Sequence, residues 1–109
     1  MCDQAFARRG KQLAMCLGAA MTILVLSSCS APQGNPADGK RWYSMHHCFA
    51  CHGPNGNDGK GPKIDNPDMG FRKFLAIVRN AQSPIMPKFP EEKISTQDVA
   101  DIYAWLKTQ

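Results

Sequence analysis

Cys48-Phe49-Ala50-Cys51-His52 is the stretch of this sequence that decides how the chain folds. On one turn of helix, two thiols three residues apart can reach the two vinyl groups along one edge of a porphyrin. The histidine that follows projects over the ring and can present an imidazole nitrogen to iron. This spacing is typical of a c-type haem attachment site. It predicts one haem c per chain, bound covalently by Cys48 and Cys51, with His52 as an axial iron ligand.

Two other kinds of site also use a Cys-x-x-Cys pair. A dithiol redox motif belongs beside a β-α-β pattern, and this sequence has no such pattern. A zinc site needs four ligands, but no second Cys-x-x-Cys is present, and His46 and His47 are crowded against the first pair. The sequence favours haem over both alternatives and leaves them open to a structural test.

The sequence around the motif predicts helices and no strand. A first helix is expected from near Asp38 toward the motif, and a glycine-rich loop follows over residues 53–61. Four apolar residues then have the spacing of one face of a middle helix: Phe71, Phe74, Leu75 and Val78. Ser95 and Asp98 form a capping-box-like pair at the start of a last helix, with Ile94 and Val99 placed as a hydrophobic staple.

The first 28 residues have the composition of a signal peptide. Arg8, Arg9 and Lys11 form a basic region, and residues 13–26 are almost purely apolar. As a helix this apolar run is about 21 Å long, against roughly 30 Å for the hydrocarbon core of a bilayer. A cleaved leader is therefore favoured over a transmembrane helix, and an uncleaved anchor is the weaker alternative.

Cys29 follows directly on Leu-Ser-Ser at the end of this region, and the four residues resemble the lipobox of bacterial lipoproteins. In those proteins the cysteine becomes the new N-terminus and carries more than one acyl chain, which gives stable anchoring. The alternative is an ordinary cleavage site at which Cys29 is incidental. Lipidation predicts that the chain is exported and held at the periplasmic side of a bacterial membrane.

The chain is thereby divided into a signal peptide over residues 1–28, a lipid-linked tether over 29–37 and a folded domain over 38–109. All five cysteines are accounted for, because two lie in the leader, one takes lipid and two belong to the haem motif. Three of the 13 basic and one of the nine acidic residues precede residue 29, which leaves a net charge of +2. We therefore expect no nucleic-acid binding, and a monomer that meets its partners through local patches.

These features, in this order, resemble class I monohaem cytochromes c, and the resemblance covers most of residues 38–109. It implies an all-α domain with the small cytochrome c fold, in which three to four helices wrap around one covalently bound haem. It also implies that the second iron ligand is Met86, which lies among Pro84, Pro87 and Pro90. Proline at every third residue is typical of a stiff polyproline II segment, which can hold a thioether against iron.

The resemblance further implies how the site is supported. Pro62, after Gly61, corresponds to a proline whose carbonyl accepts a hydrogen bond from the axial imidazole and so fixes its tautomer. Gly39 and Trp105 correspond to a close crossing of the terminal helices. Other candidates for the sixth ligand are Met45, Met69, His46 and His47. Three of these lie on the same segment as the attachment motif and cannot easily reach the opposite face of the ring.

Methionine–histidine ligation raises the haem potential and suits electron transfer. The resemblance therefore implies a one-electron carrier, not an enzyme, between membrane or periplasmic redox partners such as a dehydrogenase, an oxidase or another cytochrome. The alternative is an electron-transfer subunit of a larger oxidoreductase complex, either a dehydrogenase or a terminal oxidase. An enzyme or gas sensor would need an open sixth position, against which the Met86 segment argues. Five basic residues either steer an acidic partner or are simply solvated: Lys60, Lys63, Arg72, Lys73 and Lys88.

Overall fold

The computed structural model describes residues 30–109. In this range the chain forms four helices and no strand, so the all-α prediction is confirmed. The helices are α1 (Pro36–Met45), α2 (Phe49–His52), α3 (Phe71–Arg79) and α4 (Thr96–Leu106). None of these four is long and apolar enough to cross a membrane. The predicted signal peptide and Cys29 lie outside the described residues.

Helix α1 begins two residues earlier than the sequence analysis expected, at Pro36 instead of near Asp38. The side chain of Asn35 caps the helix by accepting a hydrogen bond from Ala37 N at 3.0 Å. Proline is favoured at the first helical position because its φ is already helical and it has no N–H to satisfy. Asparagine followed by proline is therefore the local signal that starts the helix at Pro36.

The residues just before α1 contact α4. Asn35 N donates to Asp101 Oδ1 at 2.8 Å, and Gln97 Nε2 donates to the carbonyl oxygen of Gln33 at 2.9 Å. A Cβ atom on Gly34 would overlap the carbonyl oxygen of Ala100, so the backbone there lies directly against α4. Residues 33–35, which were expected in the tether, therefore contact the helical domain.

Helices α1 and α4 cross at a glycine, as the resemblance implied. A Cβ atom on Gly39 would overlap the carbonyl oxygen of Asp101 and lie 2.8 Å from Trp105 Cβ. The rings of Tyr43 and Trp105 pack beside the crossing with their centroids 4.8 Å apart. Close approach of the two backbones thus brings large aromatic surfaces into the core.

The start of α4 has the structure predicted from its sequence. Ser95 caps the helix by accepting a hydrogen bond from Asp98 N at 3.1 Å, and Ile94 and Val99 are both buried in the core. Helix α3 packs on α4 through Phe74, whose ring centroid lies 5.3 Å from that of Tyr103.

Candidate functional site

The attachment motif lies on a single helical turn. His47 has a φ of 56°, which turns the chain sharply after α1, and Cys48 N then donates to the carbonyl oxygen of Tyr43 at 3.1 Å. His52 N donates to Cys48 O at 3.0 Å, which closes the turn. Cys48 is partly buried against the core, Cys51 is exposed and His52 is half-buried.

The two thiols do not form a disulfide, and the surroundings of Cys48 do not favour dithiol chemistry. Burial raises the pKa of the Cys48 thiol to about 11. Redox-active cysteines have lowered pKa values, because the thiolate is the reacting species. Within residues 30–109 no group of three or more His, Cys, Asp or Glu residues could hold a metal ion, so a zinc site finds no support there either.

His52 is oriented by a backbone carbonyl. Its Nδ1 lies 2.8 Å from the carbonyl oxygen of Pro62, which is the contact that the resemblance implied. Because that oxygen can only accept, Nδ1 of the neutral ring carries the hydrogen, and Nε2 keeps its lone pair for a metal. Gly61 N donates to Cys51 O at 2.6 Å, and a Cβ atom on Gly61 would lie only 3.2 Å from His52 Nδ1.

Tyr43 supports the motif in a way that the sequence analysis missed. Its buried hydroxyl donates to the carbonyl oxygen of Gly53 at 2.7 Å, and Gly53, with a φ of 81°, is the residue that follows the end of α2. Burial of the phenol raises its pKa to about 12. A tyrosine ten residues before a glycine carries no local signal of this contact, because the fold alone brings the two together.

Met86 is half-buried and packs against the hydrophobic core. Its backbone N–H donates to the hydroxyl of Ser83 at 3.4 Å, which bends the loop just before it. Among the competing ligands, Met45 is 59% exposed and His47 is exposed.

The other two competing ligands lie in apolar surroundings. The ring centroid of His46 lies 6.4 Å from those of both Trp42 and Phe89, and burial lowers the pKa of this imidazole. Met69 packs against the core from the segment before α3. Neither residue stands on a loop comparable to the proline-rich segment around Met86.

The residues present fit a covalently bound haem. The donor set comprises two unpaired thiols, an imidazole with one ring nitrogen free and a half-buried thioether. A cleft of about 400 Å³ lies between residues 63–69 and Phe74, and its lining includes none of these donor side chains. Several apolar side chains around the core are only partly buried, which leaves surface that a large apolar ring would cover: Ile64, Met69, Phe71, Leu75, Val78 and Met86.

Comparison with known proteins identifies the family. Residues 34–106 match the protein-family model described as cytochrome c oxidase, cbb3-type, subunit III, and this stretch includes the whole attachment motif, Pro62 and Met86. No curated protein and no solved structure matches the chain. Domains of this family bind haem c covalently and transfer electrons. The chain therefore belongs to this cbb3-type family and is a class I monohaem c-type cytochrome.

Proposed function

We propose that this cytochrome is a one-electron carrier whose haem is attached through Cys48 and Cys51, with iron held between His52 and Met86. The bound haem supplies the redox chemistry, because its iron alternates between the ferric and ferrous states. The observation that carries the proposal is the 2.8 Å contact between His52 Nδ1 and Pro62 O, beside two unpaired thiols on the same helical turn. It leaves one ring nitrogen available in the tautomer that a metal requires.

The protein's own residues have three tasks in this function. His52 is held in one orientation by the carbonyl of Pro62, so that little reorganisation accompanies a change of charge at the site. Met86 would hold the iron through its thioether sulfur and so exclude small ligands and substrates. The buried side chains of Phe74 and Phe89 belong to an apolar core that would keep water from a group packed against it.

A visible spectrum of the purified haem protein tests this proposal. Covalent c-type haem, together with the weak far-red band of methionine–iron ligation in the oxidised protein, is the expected result. Met86→Ala should abolish the far-red band and allow rapid carbon monoxide binding when reduced, whereas the control Met69→Ala should keep the band. Retention of the band in Met86→Ala, or its loss in Met69→Ala, would contradict the assignment of the sixth ligand.

A second candidate function is that of an electron-transfer module in a terminal oxidase. The matched family description names an oxidase subunit. Exposed apolar side chains offer surface for a protein partner, since Ile85 is 82% and Phe49 44% exposed, and each is next to a proposed haem-binding residue. Size-exclusion of the detergent-extracted native protein distinguishes the two functions. Persistent co-elution with a large partner supports the module, and elution as a small monomer supports the free carrier.

For its location, we propose export and lipid attachment at Cys29, on the periplasmic side of a bacterial membrane. The lipobox-like residues before Cys29 support this proposal, as does the basic and apolar leader. A carrier held there would exchange electrons with a dehydrogenase, an oxidase or another cytochrome. The tether keeps such partners within a short diffusion distance.

A further inference from the structure

The loop that carries Met86 is closed at its base. It spans residues 80–88, between the end of α3 and the buried side chain of Phe89. Phe89 N donates to the carbonyl oxygen of Val78 at 3.1 Å, so the chain returns to the helix that it left. Within the loop, the Ser83 hydroxyl accepts hydrogen bonds from Ile85 N at 3.2 Å and from Met86 N at 3.4 Å, and Gln82 Nε2 donates to the carbonyl oxygen of Asn80 at 3.2 Å. All three bonds are exposed and join residues at most three positions apart, so none of them ties Met86 to either end of the loop.

Arg79, the last residue of α3, forms hydrogen bonds with the segment that follows the loop, from Phe89 to Thr96. Its Nη1 donates to the carbonyl oxygens of Phe89 at 2.8 Å and Ile94 at 2.7 Å. Its Nη2 donates to Thr96 Oγ1 at 3.3 Å and forms an ion pair with Glu91. The arginine side chain is only 21% exposed, so these bonds are partly shielded from water.

Glu91 extends the contact to the first turn of α4. Its carboxylate accepts hydrogen bonds from Thr96 N at 2.9 Å and Thr96 Oγ1 at 2.7 Å, and these bonds lower the pKa of the Glu91 carboxyl. Thr96 is the first residue of α4, so the carboxylate satisfies a backbone N–H that has no partner within the helix. The Arg79–Glu91–Thr96 cluster thus joins the end of α3 to the start of α4.

We propose that Arg79 is a positioning residue for the sixth iron ligand: it holds the 80–88 loop closed and keeps the Met86 sulfur within reach of iron. This inference rests on the proposed ligation by Met86. Because the loop has few internal hydrogen bonds, its shape depends on how firmly its two ends are held. Met86 is three residues from Phe89, and the prolines around it stiffen that short stretch. Movement at the Phe89 carbonyl is therefore transmitted to the sulfur.

The guanidinium is the side-chain group suited to this role. It presents five N–H donors in a rigid fork, and here they bond to two carbonyls, a hydroxyl and a carboxylate. Lysine would keep the positive charge but not the fork, so it could not hold all of these acceptors together. Arg79→Lys therefore keeps the positive charge and removes the fork, whereas Arg79→Gln removes both, and comparing them distinguishes the effect of charge from that of hydrogen-bond geometry.

The test uses the haem-loaded full chain and the variants Arg79→Gln, Arg79→Lys and Glu91→Gln. Arg41→Gln is the control, because Arg41 is an exposed arginine that pairs with Asp38 on α1. The far-red methionine–iron band and the helical circular dichroism are followed against urea, and carbon monoxide binding to the reduced protein is timed without urea. The far-red band and carbon monoxide binding report on the position of the sulfur, whereas circular dichroism reports on the stability of the helices.

In Arg79→Gln the far-red band should disappear at a urea concentration where the helices are intact. Carbon monoxide should bind about tenfold faster than in the unmodified protein, since losing a charged hydrogen bond changes a local equilibrium by about that factor. In Arg79→Lys, the carbon monoxide rate and the urea concentration at which the band disappears should lie between those of Arg79→Gln and the unmodified protein. Glu91→Gln should have a smaller effect, because it leaves both carbonyl bonds in place. The control should behave like the unmodified protein.

Loss of band and helix together in Arg79→Gln, with an unchanged carbon monoxide rate, would show a merely structural role and overturn the proposal. If Arg79→Gln does not fold, Arg79→Lys and Glu91→Gln must lose the band ahead of the helices, or the proposal fails. An unmodified protein without the far-red band would overturn Met86 ligation itself and this inference with it. A normal band that none of the variants disturbs would overturn only the role of Arg79.

Discussion

Tyr43 illustrates how one side chain links the hydrophobic core to the haem motif. It is 1% exposed, and its ring packs on Trp105 while its hydroxyl bonds to the carbonyl of Gly53. A phenol in this position must remain neutral, because the ionised form would be buried without water and would face a carbonyl that can only accept. This burial raises the pKa of Tyr43 to about 12.

The raised pKa predicts a loss of stability at alkaline pH. In the unfolded chain tyrosine ionises near pH 10, whereas in the folded protein Tyr43 holds its proton to about pH 12. Between these values the folded state binds more protons, so its free energy of unfolding falls by up to about 1.4 kcal/mol per pH unit. Urea unfolding of the haem-loaded protein, in which Cys48 is a thioether and does not titrate, should show this slope from pH 8 to pH 12, and Tyr43→Phe should lack it.

Tyr103→Phe is the matched control, because it removes the hydroxyl that donates to the carbonyl of Met69 and leaves Tyr43 in place. This control should keep the alkaline slope. At neutral pH, Tyr43→Phe should also be less stable by about 1 kcal/mol, since the buried carbonyl of Gly53 loses its hydrogen bond. An alkaline slope in Tyr43→Phe equal to that of the unmodified protein would show that another group causes it.

At the scale of the elements, the crossing of α1 and α4 decides where the haem motif lies. Gly39 allows the two backbones to approach, and Asp101, buried in α4, accepts hydrogen bonds from Asn35 N at 2.8 Å and Gln97 Nε2 at 3.0 Å. Because α1 leads directly into the attachment turn, its position on α4 also sets the position of His52. The crossing is therefore part of the support of the site.

We expect Gly39→Ala to destabilise the domain by about 3 kcal/mol, because the added methyl group would overlap the carbonyl of Asp101 and force the helices apart. Gly70→Ala is the control, since a Cβ atom there has no neighbour within 4 Å, and it should change stability by under about 1 kcal/mol. Thermal unfolding of the two variants measures the difference. Equal melting temperatures would mean that the crossing relaxes without cost.

At the scale of the whole molecule, the first residues of the described chain limit the reach of any anchor. Gln33 is already bonded to α4, so only residues 30–32 separate it from Cys29. That length of chain extends at most about 14 Å. The attachment motif begins beyond the other end of α1, whose ten residues are about 15 Å long. A lipid on Cys29 would thus hold the domain close to a membrane by the end of α1 opposite the haem site.

Cys29→Ser should release the cytochrome from the membrane fraction into the soluble periplasmic fraction with its haem spectrum unchanged. The physical reason is that the acyl chains supply the membrane affinity, and serine cannot carry them by a thioether. Cell fractionation and intact mass of the purified protein measure the change, and Cys16→Ser, within the proposed leader, is the control. Membrane retention of Cys29→Ser, or an unlipidated mass for the unmodified protein, would contradict the proposal.

Features that depend on short spacing could be predicted from the amino-acid sequence alone. The attachment turn, the cap at Ser95 and the all-α character follow from residues within one or two helical turns of each other, where covalent geometry limits the possible arrangements. The hydrogen bond between His52 and Pro62 was predicted from the resemblance to class I cytochromes c. Ligation by Met86 and lipidation at Cys29 remain predictions.

Contacts between residues far apart in the chain depend on how the helices pack. Asn35 and Asp101 are 66 positions apart, and Arg79 reaches acceptors 10 to 17 positions away that carry no local sign of an arginine partner. Such contacts form because packing α1 and α3 on α4 leaves particular carbonyls and carboxylates without water, and each then needs a donor. The attachment turn could thus be recognised from five consecutive residues, whereas what holds it and the methionine loop in place depends on the whole fold.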